Sequence, residues 1–314
     1  MLFLNTTVYG LQLGLCYAVL ALGMYIAYSV LDFPDLTADG SFPLGGVVGT
    51  ILIYRAHLHP IAALLGGFIA GAAAGFFTGL LHVKFKINKL LSSIIVMTAL
   101  LSVTLALTKV LTGTGATTTN FSYIANGMNG LFNDGNTARG ELYTTAVLLV
   151  TAVAAKIILD LFFATKTGFM LTATGNNETL VTSLGKNCGF YKILGLCIAN
   201  GFTALSGAAY AQFTMNYDNT CGSGKVVLAL ASVIIGLVIF SKARRVRPTT
   251  AVIVGAVIYS LCLNYFTLID TDGTYLKIMN AACFAAILII NSGITGKRKK
   301  HRRDTVCESE VSKL

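Results

Sequence analysis

Eight stretches of this chain stay apolar for 16 to 25 residues each: Val8–Leu31, Pro60–Val83, Leu90–Thr112, Glu141–Thr165, Gly189–Phe213, Val226–Ser241, Thr249–Ile269 and Tyr275–Asn291. Crossing roughly 30 Å of hydrocarbon at 1.5 Å per residue takes about 20 such residues. The runs do not alternate and are far longer than strands, so they favour helices over a barrel. A ninth run, Ser41–Tyr54, has only 14 residues, which is short for a full crossing. The expected fold is an all-α polytopic transmembrane bundle of about nine spans, one of them a short or re-entrant helix after the first span. Residues 1–296 form a single transmembrane domain, and 297–314 a basic tail.

Composition closes the main alternatives. Charged residues make up 11% of the chain and hydrophobic residues 55%, whereas an average soluble domain carries about 25% charged residues. A soluble enzyme is excluded, and so is disorder, which needs low hydrophobicity and high charge. The first ten residues hold no Lys or Arg and so lack the basic start of a secretory signal peptide; the first run is expected to be retained as a span. The seven cysteines, at 16, 188, 197, 221, 262, 283 and 307, include no CxxC pair. Such scattered thiols suit apolar packing better than a disulfide framework or a metal site, and no metal is expected.

The formal charge of +10 is compatible with nucleic acid, but its placement points to a membrane. The gap Lys84–Lys89 holds three basic residues, the gap with its flanks Lys166 to Lys192 three, Lys242–Arg247 four, and Lys297–Leu314 seven: 17 of 23 in all. The opposite gaps hold only Arg55, Arg139 and Lys225, with Asp134, Glu141, Asp218, Asp270 and Asp272 beside them. This alternation is the positive-inside pattern. It places the basic gaps and the C-terminus in the cytoplasm, and the N-terminus outside if Ser41–Tyr54 crosses. No nucleic-acid partner is expected; the lipid bilayer is.

Three lysines interrupt the apolar runs. Lys109 and Lys277 sit near run ends, where they can snorkel to the headgroups. Lys156 lies deeper, but Asp160 follows four residues on, one turn along the same helix face, which suits an intramembrane ion pair. Gly67, Gly71, Gly75 and Gly79 repeat a small residue at every fourth position, the pattern that lets helix backbones approach closely in lipid.

Two segments break the pattern. Leu31 to Pro43 packs three of the chain's 13 acidic residues and two of its four prolines into 13 positions. Pro34 and Pro43 disfavour helix at and before themselves, so the stretch is expected to be non-helical. It is either a broken helix lining a cavity, as transporters use, or an interfacial turn. Asp35, Thr37, Asp39 and Ser41 are candidates for polar lining of a substrate pathway, and the acidic ones equally for helix caps. The second segment lies in the cytoplasmic loop at about 166–188. Asn176 or Asn177 can cap a short helix, Glu178 suits its first turn, Leu180, Val181 and Leu184 fall on one face, and Gly185 supplies a stop. Its size suits docking into a groove on a cytoplasmic partner; a helix merely lying on the membrane is the alternative.

The stretch Gly168-Phe169-Met170-Leu171-Thr172-Ala173-Thr174-Gly175-Asn176-Asn177-Glu178, followed by Leu184-Gly185, resembles the G-x-x-x-x-A-x-G-x-N region of bacterial ABC-importer permeases of the branched-chain amino acid and ribose type. Gly14 to Gly23 matches as well. Asp35-Leu36-Thr37-Ala38-Asp39-Gly40-Ser41-Phe42-Pro43 is similar to a subgroup of uncharacterised amino acid import permeases, with aromatic amino acids among their candidate solutes. The likeness runs from Gly10 to about Asn291. It departs from the family pattern at Leu171-Thr172, where a basic residue is expected.

The resemblance implies a multi-pass permease of the bacterial cytoplasmic membrane, working as a homodimer. A cytoplasmic ABC ATPase subunit would seat the coupling helix (Gly175, Asn176, Asn177, Glu178, Leu180, Val181, Leu184, Gly185), and an extracytoplasmic solute-binding protein would deliver an amino acid. The chain has no G-x-x-x-x-G-K-[ST] loop for ATP and no catalytic constellation. No cofactor is expected on it, ATP and Mg²⁺ belonging to the partner. A stand-alone secondary transporter or channel is the alternative, and would turn on Lys156 and Asp160.

Overall fold

The computed structural model describes residues 2–112, 118–120, 138–242, 246–267, 278, 281–285 and 289. Its helices are α1 (Leu2–Met24), α2 (Ala38–Tyr54), α3 (Pro60–Val83), α4 (Lys89–Thr112), α5 (Ala138–Ala164), α6 (Lys166–Asn176), α7 (Glu178–Ser183), α8 (Cys188–Thr214), α9 (Lys225–Ile239) and α10 (Pro248–Thr267). Two three-residue strands, β1 (Thr118–Asn120) and β2 (Asn216–Asp218), pair antiparallel with Thr119 opposite Tyr217. Among the described residues, seven helical segments are long and apolar enough to cross a membrane; six lie within about three residues of a run expected from sequence, and the seventh, Asn219–Ile239, starts seven residues before Val226. Most of the eighth run, Tyr275–Asn291, lies outside the described residues, as do Lys277 and the tail 297–314.

The segment after the first span differs from expectation. The chain turns π-helical over Tyr25–Val30 and is irregular only from Leu31 to Leu36. Helix resumes at Ala38, so α2 has 17 residues and contains Pro43. The restart is local: the Asp35 carboxylate accepts the Thr37 N–H at 2.9 Å, and the Ser41 N–H reaches the Thr37 carbonyl at 2.8 Å. Pro43 sits in the second turn, where its missing N–H forfeits a single bond, to the Asp39 carbonyl. At 1.5 Å per residue α2 is about 25 Å long. Thr37, just before it, approaches the Ser93 carbonyl near the start of α4, and Arg55, just after it, donates to the Val110 carbonyl near the end of α4. α2 therefore runs beside α4 along nearly its whole length.

Burial separates a centre from a rim. The first span is 78% buried over its most apolar window and α8 67%, against 28% for α4 and 22% for α5. α1 and α8 are thus central, and the exposed Ile94, Ile95, Leu149, Val150, Ile157 and Ile158 face outward from α4 and α5, as lipid-facing helices do. The glycine stripe of α3 lies on α8. A Cβ at Gly71 would collide with the Asn200 carbonyl, and one at Gly75 with that of Leu196. Only glycine permits that backbone approach, which supplies the dispersion contacts that hold helices together where lipid removes the hydrophobic drive.

Candidate functional site

The loop between α5 and α8 is folded throughout. The Thr165 hydroxyl caps α6 by accepting the Gly168 N–H at 3.2 Å. Asn177 then breaks the helix with an extended backbone, φ −157° and ψ 99°, and its side-chain oxygen accepts the Leu180 N–H at 3.2 Å. The end of α7 is a paired stop: Lys186 N–H reaches the Val181 carbonyl at 3.2 Å and Gly185 N–H the Thr182 carbonyl at 2.9 Å. Gly185 has φ +69°, which glycine adopts without strain. The helix expected over 175–185 is therefore shorter, Glu178–Ser183. Gly175 and Asn176 belong to α6, because the Asn177 cap restarts the helix two residues later than Gly175.

The three apolar residues of this segment also divide. Val181 is fully buried, whereas Leu180 and Leu184 are 52% and 56% exposed. The single face expected for them is split, with Val181 anchoring α7 and the two leucines presented outward. A second anchor is the ion pair from Lys192 of α8 to Glu178, at 2.7 Å. The Lys192 ammonium donating to the Glu178 carboxylate holds its pKa below the ordinary glutamate value. One element upstream, Gly175 packs against the Val30 carbonyl and the Leu31 α-carbon, leaving no room for a Cβ. The end of α6 thus abuts the end of the first span.

From that junction the irregular segment leads to a buried polar network. Asp35, Thr37 and Ser41 are each no more than 1% exposed. Asn200 of α8 donates to the Asp35 carboxylate at 2.7 Å and accepts from the Ser41 hydroxyl at 2.7 Å. The hydroxyls of Thr37 and Thr78 meet at 2.9 Å. Asp39 lies apart from this group: its carboxylate accepts the backbone N–H of Val226 at 2.7 Å and of Gly224 at 3.3 Å, capping the start of α9. Of the four residues considered for pathway lining, three are sealed into a side-chain network and the fourth is a cap supplied by another helix.

Lys156 and Asp160 pair at 2.9 Å, and Asp160 also accepts from Thr249 at 2.7 Å and from Arg247 at 3.1 Å. Asp160 is therefore a node tying α5 to the start of α10. Beside it a cavity of about 330 Å³ is bordered by Tyr25, Val30, Phe163, Thr172 and Arg247.

Sequence reasoning did not single out Asn200 or the surroundings of Lys225. An asparagine in the middle of an apolar run was a signal that could have pointed to Asn200. Lys225 donates to the Tyr17 hydroxyl at 2.7 Å and lies over the rings of Tyr17, Phe42 and Tyr210.

Residues 6–291 match the family described as branched-chain amino acid transport system / permease component. A tyrosine transport system permease protein of Clostridioides difficile (strain R20291) is 38% identical over 275 residues, covering 88% of each chain. An uncharacterized protein, RP368, of Rickettsia prowazekii (strain Madrid E) is 29% identical over 280 residues, 88% of this chain and 94% of that one. The ribose import permease protein RbsC of Escherichia coli (strain K12) is 23% identical over 275 residues, 88% of this chain and 82% of that one.

Proposed function

We propose a working cycle for a chain whose family is established: it belongs to the branched-chain amino acid transport system permease family. It is the membrane-spanning permease of an ATP-driven ABC importer, not an enzyme, and it forms the translocation pathway for an amino acid. Permeases of this kind work with an ATPase subunit and a solute-binding protein. The finer reading that follows is ours.

The solute is tyrosine or a close aromatic relative, a choice supported by the 38% identity to the tyrosine permease. Two copies of the chain form the pathway in the bacterial cytoplasmic membrane, each crossing nine times. α2 counts as a full crossing because it parallels α4. The basic gaps and the C-terminus are cytoplasmic. ATP and Mg²⁺ bind the partner ATPase, whose closure pushes on α7. The segment from Asn177 to Gly185 seats in the ATPase groove through Leu180 and Leu184, while Val181 and the Glu178–Lys192 pair hold it to the permease. The Gly175–Val30 contact passes the displacement to the irregular segment and to α2. For the shift to do work, ATP must bind one conformation better than the other.

The observation that carries this reading is the pair of exposed leucines on a capped helix that is anchored on its opposite side. The test is a mild-detergent pull-down of the tagged protein from its native membrane, with and without Leu184→Arg. An ATPase subunit recovered with the unaltered chain and lost in the variant supports the reading. Recovery unchanged by the variant removes the docking site, and no ATPase in either sample removes the importer. The alternative, a secondary transporter, needs a mobile intramembrane charge, and Asp160 is instead held by Lys156, Arg247 and Thr249.

A further inference from the structure

The span Asn219–Ile239 is discontinuous. A 3₁₀ turn, Asn219–Gly222, is followed by Ser223 and by Gly224 at φ +82°, and only then by α9, whose first residue is Lys225. The Lys225 ammonium stands 4.3 Å from the ring centre of Tyr17, 5.2 Å from that of Tyr210 and 5.4 Å from that of Phe42. These rings come from α1, α8 and α2 and pack on one another: Tyr17 and Tyr210 stack at 5.9 Å, and Phe42 and Tyr210 lie 5.5 Å apart. Four helices thus converge on one cation.

Among the described residues that cation has no carboxylate in direct contact: its ion-pair shell, out to 4.0 Å, holds none. Asp39, the acid beside it, attracts the ammonium electrostatically but accepts hydrogen bonds from the backbone N–H groups of Gly224, Lys225 and Val226, not from the Lys225 side chain. An ammonium has three donors, and the Tyr17 hydroxyl takes one. A cation inside a membrane domain is costly without a partner, and the first turn of a helix repels positive charge. Three rings lie within 5.4 Å of the ammonium, and Lys225 is half-buried overall. In secondary transporters, breaks in discontinuous spans are where backbone ends and charges meet the solute, and the break before α9 offers the same chemistry here.

We infer that Lys225 binds the carboxylate of the amino acid during its passage, with Tyr17, Phe42 and Tyr210 holding the ammonium in place for it. This rests on the amino acid importer reading above.

The test reconstitutes the permease with its ATPase and binding protein in vesicles and follows radiolabelled L-tyrosine uptake by the unaltered complex, Lys225→Met and Lys225→Arg. ATPase co-purification reports assembly. The expected result is an assembled Lys225→Met complex with uptake reduced at least tenfold, and Lys225→Arg retaining more than Lys225→Met. Uptake by assembled Lys225→Met within twofold of the unaltered complex overturns the assignment. If Lys225→Met does not assemble, the unaltered complex is treated with an amine-modifying reagent during turnover. L-Tyrosine is expected to protect Lys225 and tyramine, which lacks the carboxylate, not to; equal modification in both overturns the assignment. An unaltered complex that takes up no amino acid at all overturns the importer reading itself.

Discussion

Gly175 of α6 lies against the Val30 carbonyl at the end of the first span so closely that no Cβ fits between them. The contact joins the only part of the chain proposed to meet the ATPase to the segment that leads into α2. It also ties a fold requirement to a functional one, because a side chain at 175 must separate α6 from that span.

Gly175→Ala is therefore expected to lower stability by about 1–3 kcal/mol, the usual cost of forced overpacking. Gly185 has open space around it but a φ of +69°, so Gly185→Asn, a residue tolerant of that conformation, is expected to cost less. Thermal unfolding of the detergent-solubilised variants compares them. A Gly175→Ala variant as stable as the unaltered chain would show that the two elements separate freely.

Asn200 serves two partners at once, Asp35 and Ser41. Asn200→Ala leaves a buried carboxylate one bond short and a buried hydroxyl without an acceptor, and hydrogen bonds to charged groups are worth about 1.5–3 kcal/mol. Ser41→Ala removes one bond from a neutral partner and is expected to cost about 1 kcal/mol. Thermal unfolding should rank Asn200→Ala clearly below Ser41→Ala; the reverse order would mean that the network does not hold α2 to α8.

Asp160 receives three partners, and they are unequal. Arg247 is 71% exposed along its side chain, so its ion pair is worth little, about 0–1 kcal/mol. Thr249, in the first turn of α10, donates from a part-buried position. Asp160→Ala is thus expected to destabilise more than Lys156→Met, with the larger coupling to Thr249 than to Arg247. Double-mutant cycles on thermal stability measure this directly.

The Glu178–Lys192 pair should make the anchoring of α7 depend on pH. Lys192 depresses the folded-state pKa of Glu178 below its ordinary value of 4.5. A depressed acid contributes stability that is present above the unfolded pKa and is lost as pH falls through the folded pKa. The anchor is therefore intact at neutral pH and weakens only below about pH 4.5. A fluorophore attached near Ser183 should report loosening on acidification in the unaltered chain. Glu178→Gln should already be loose at neutral pH and lack that transition.

The seven helical segments long and apolar enough to cross a membrane were legible because lipid demands about 20 apolar residues per crossing, a requirement written in contiguous sequence. The same is true of α7, whose cap at Asn177 and stop at Gly185 are local. What could not be read were relationships between distant residues. Asp39 as a cap for α9 depends on Val226, 187 positions away, and Asp35 finds Asn200 at a separation of 165. Pro43 marks a break by its chemistry, yet it falls where a helix gives up only one bond. Leu180, Val181 and Leu184 are compatible with one face on a wheel, but a six-residue helix between two anchors rotates to bury Val181 alone. Lys225 registered only as one of three basic residues on the outer side, since its aromatic neighbours come from three other helices.

The most direct test of the account is tyrosine uptake into vesicles carrying the permease, its ATPase and its binding protein. Accumulation that requires ATP and the binding protein, and that survives proton and sodium ionophores, is the predicted result. Accumulation driven by an ion gradient without ATP, and collapsed by an ionophore, would contradict it.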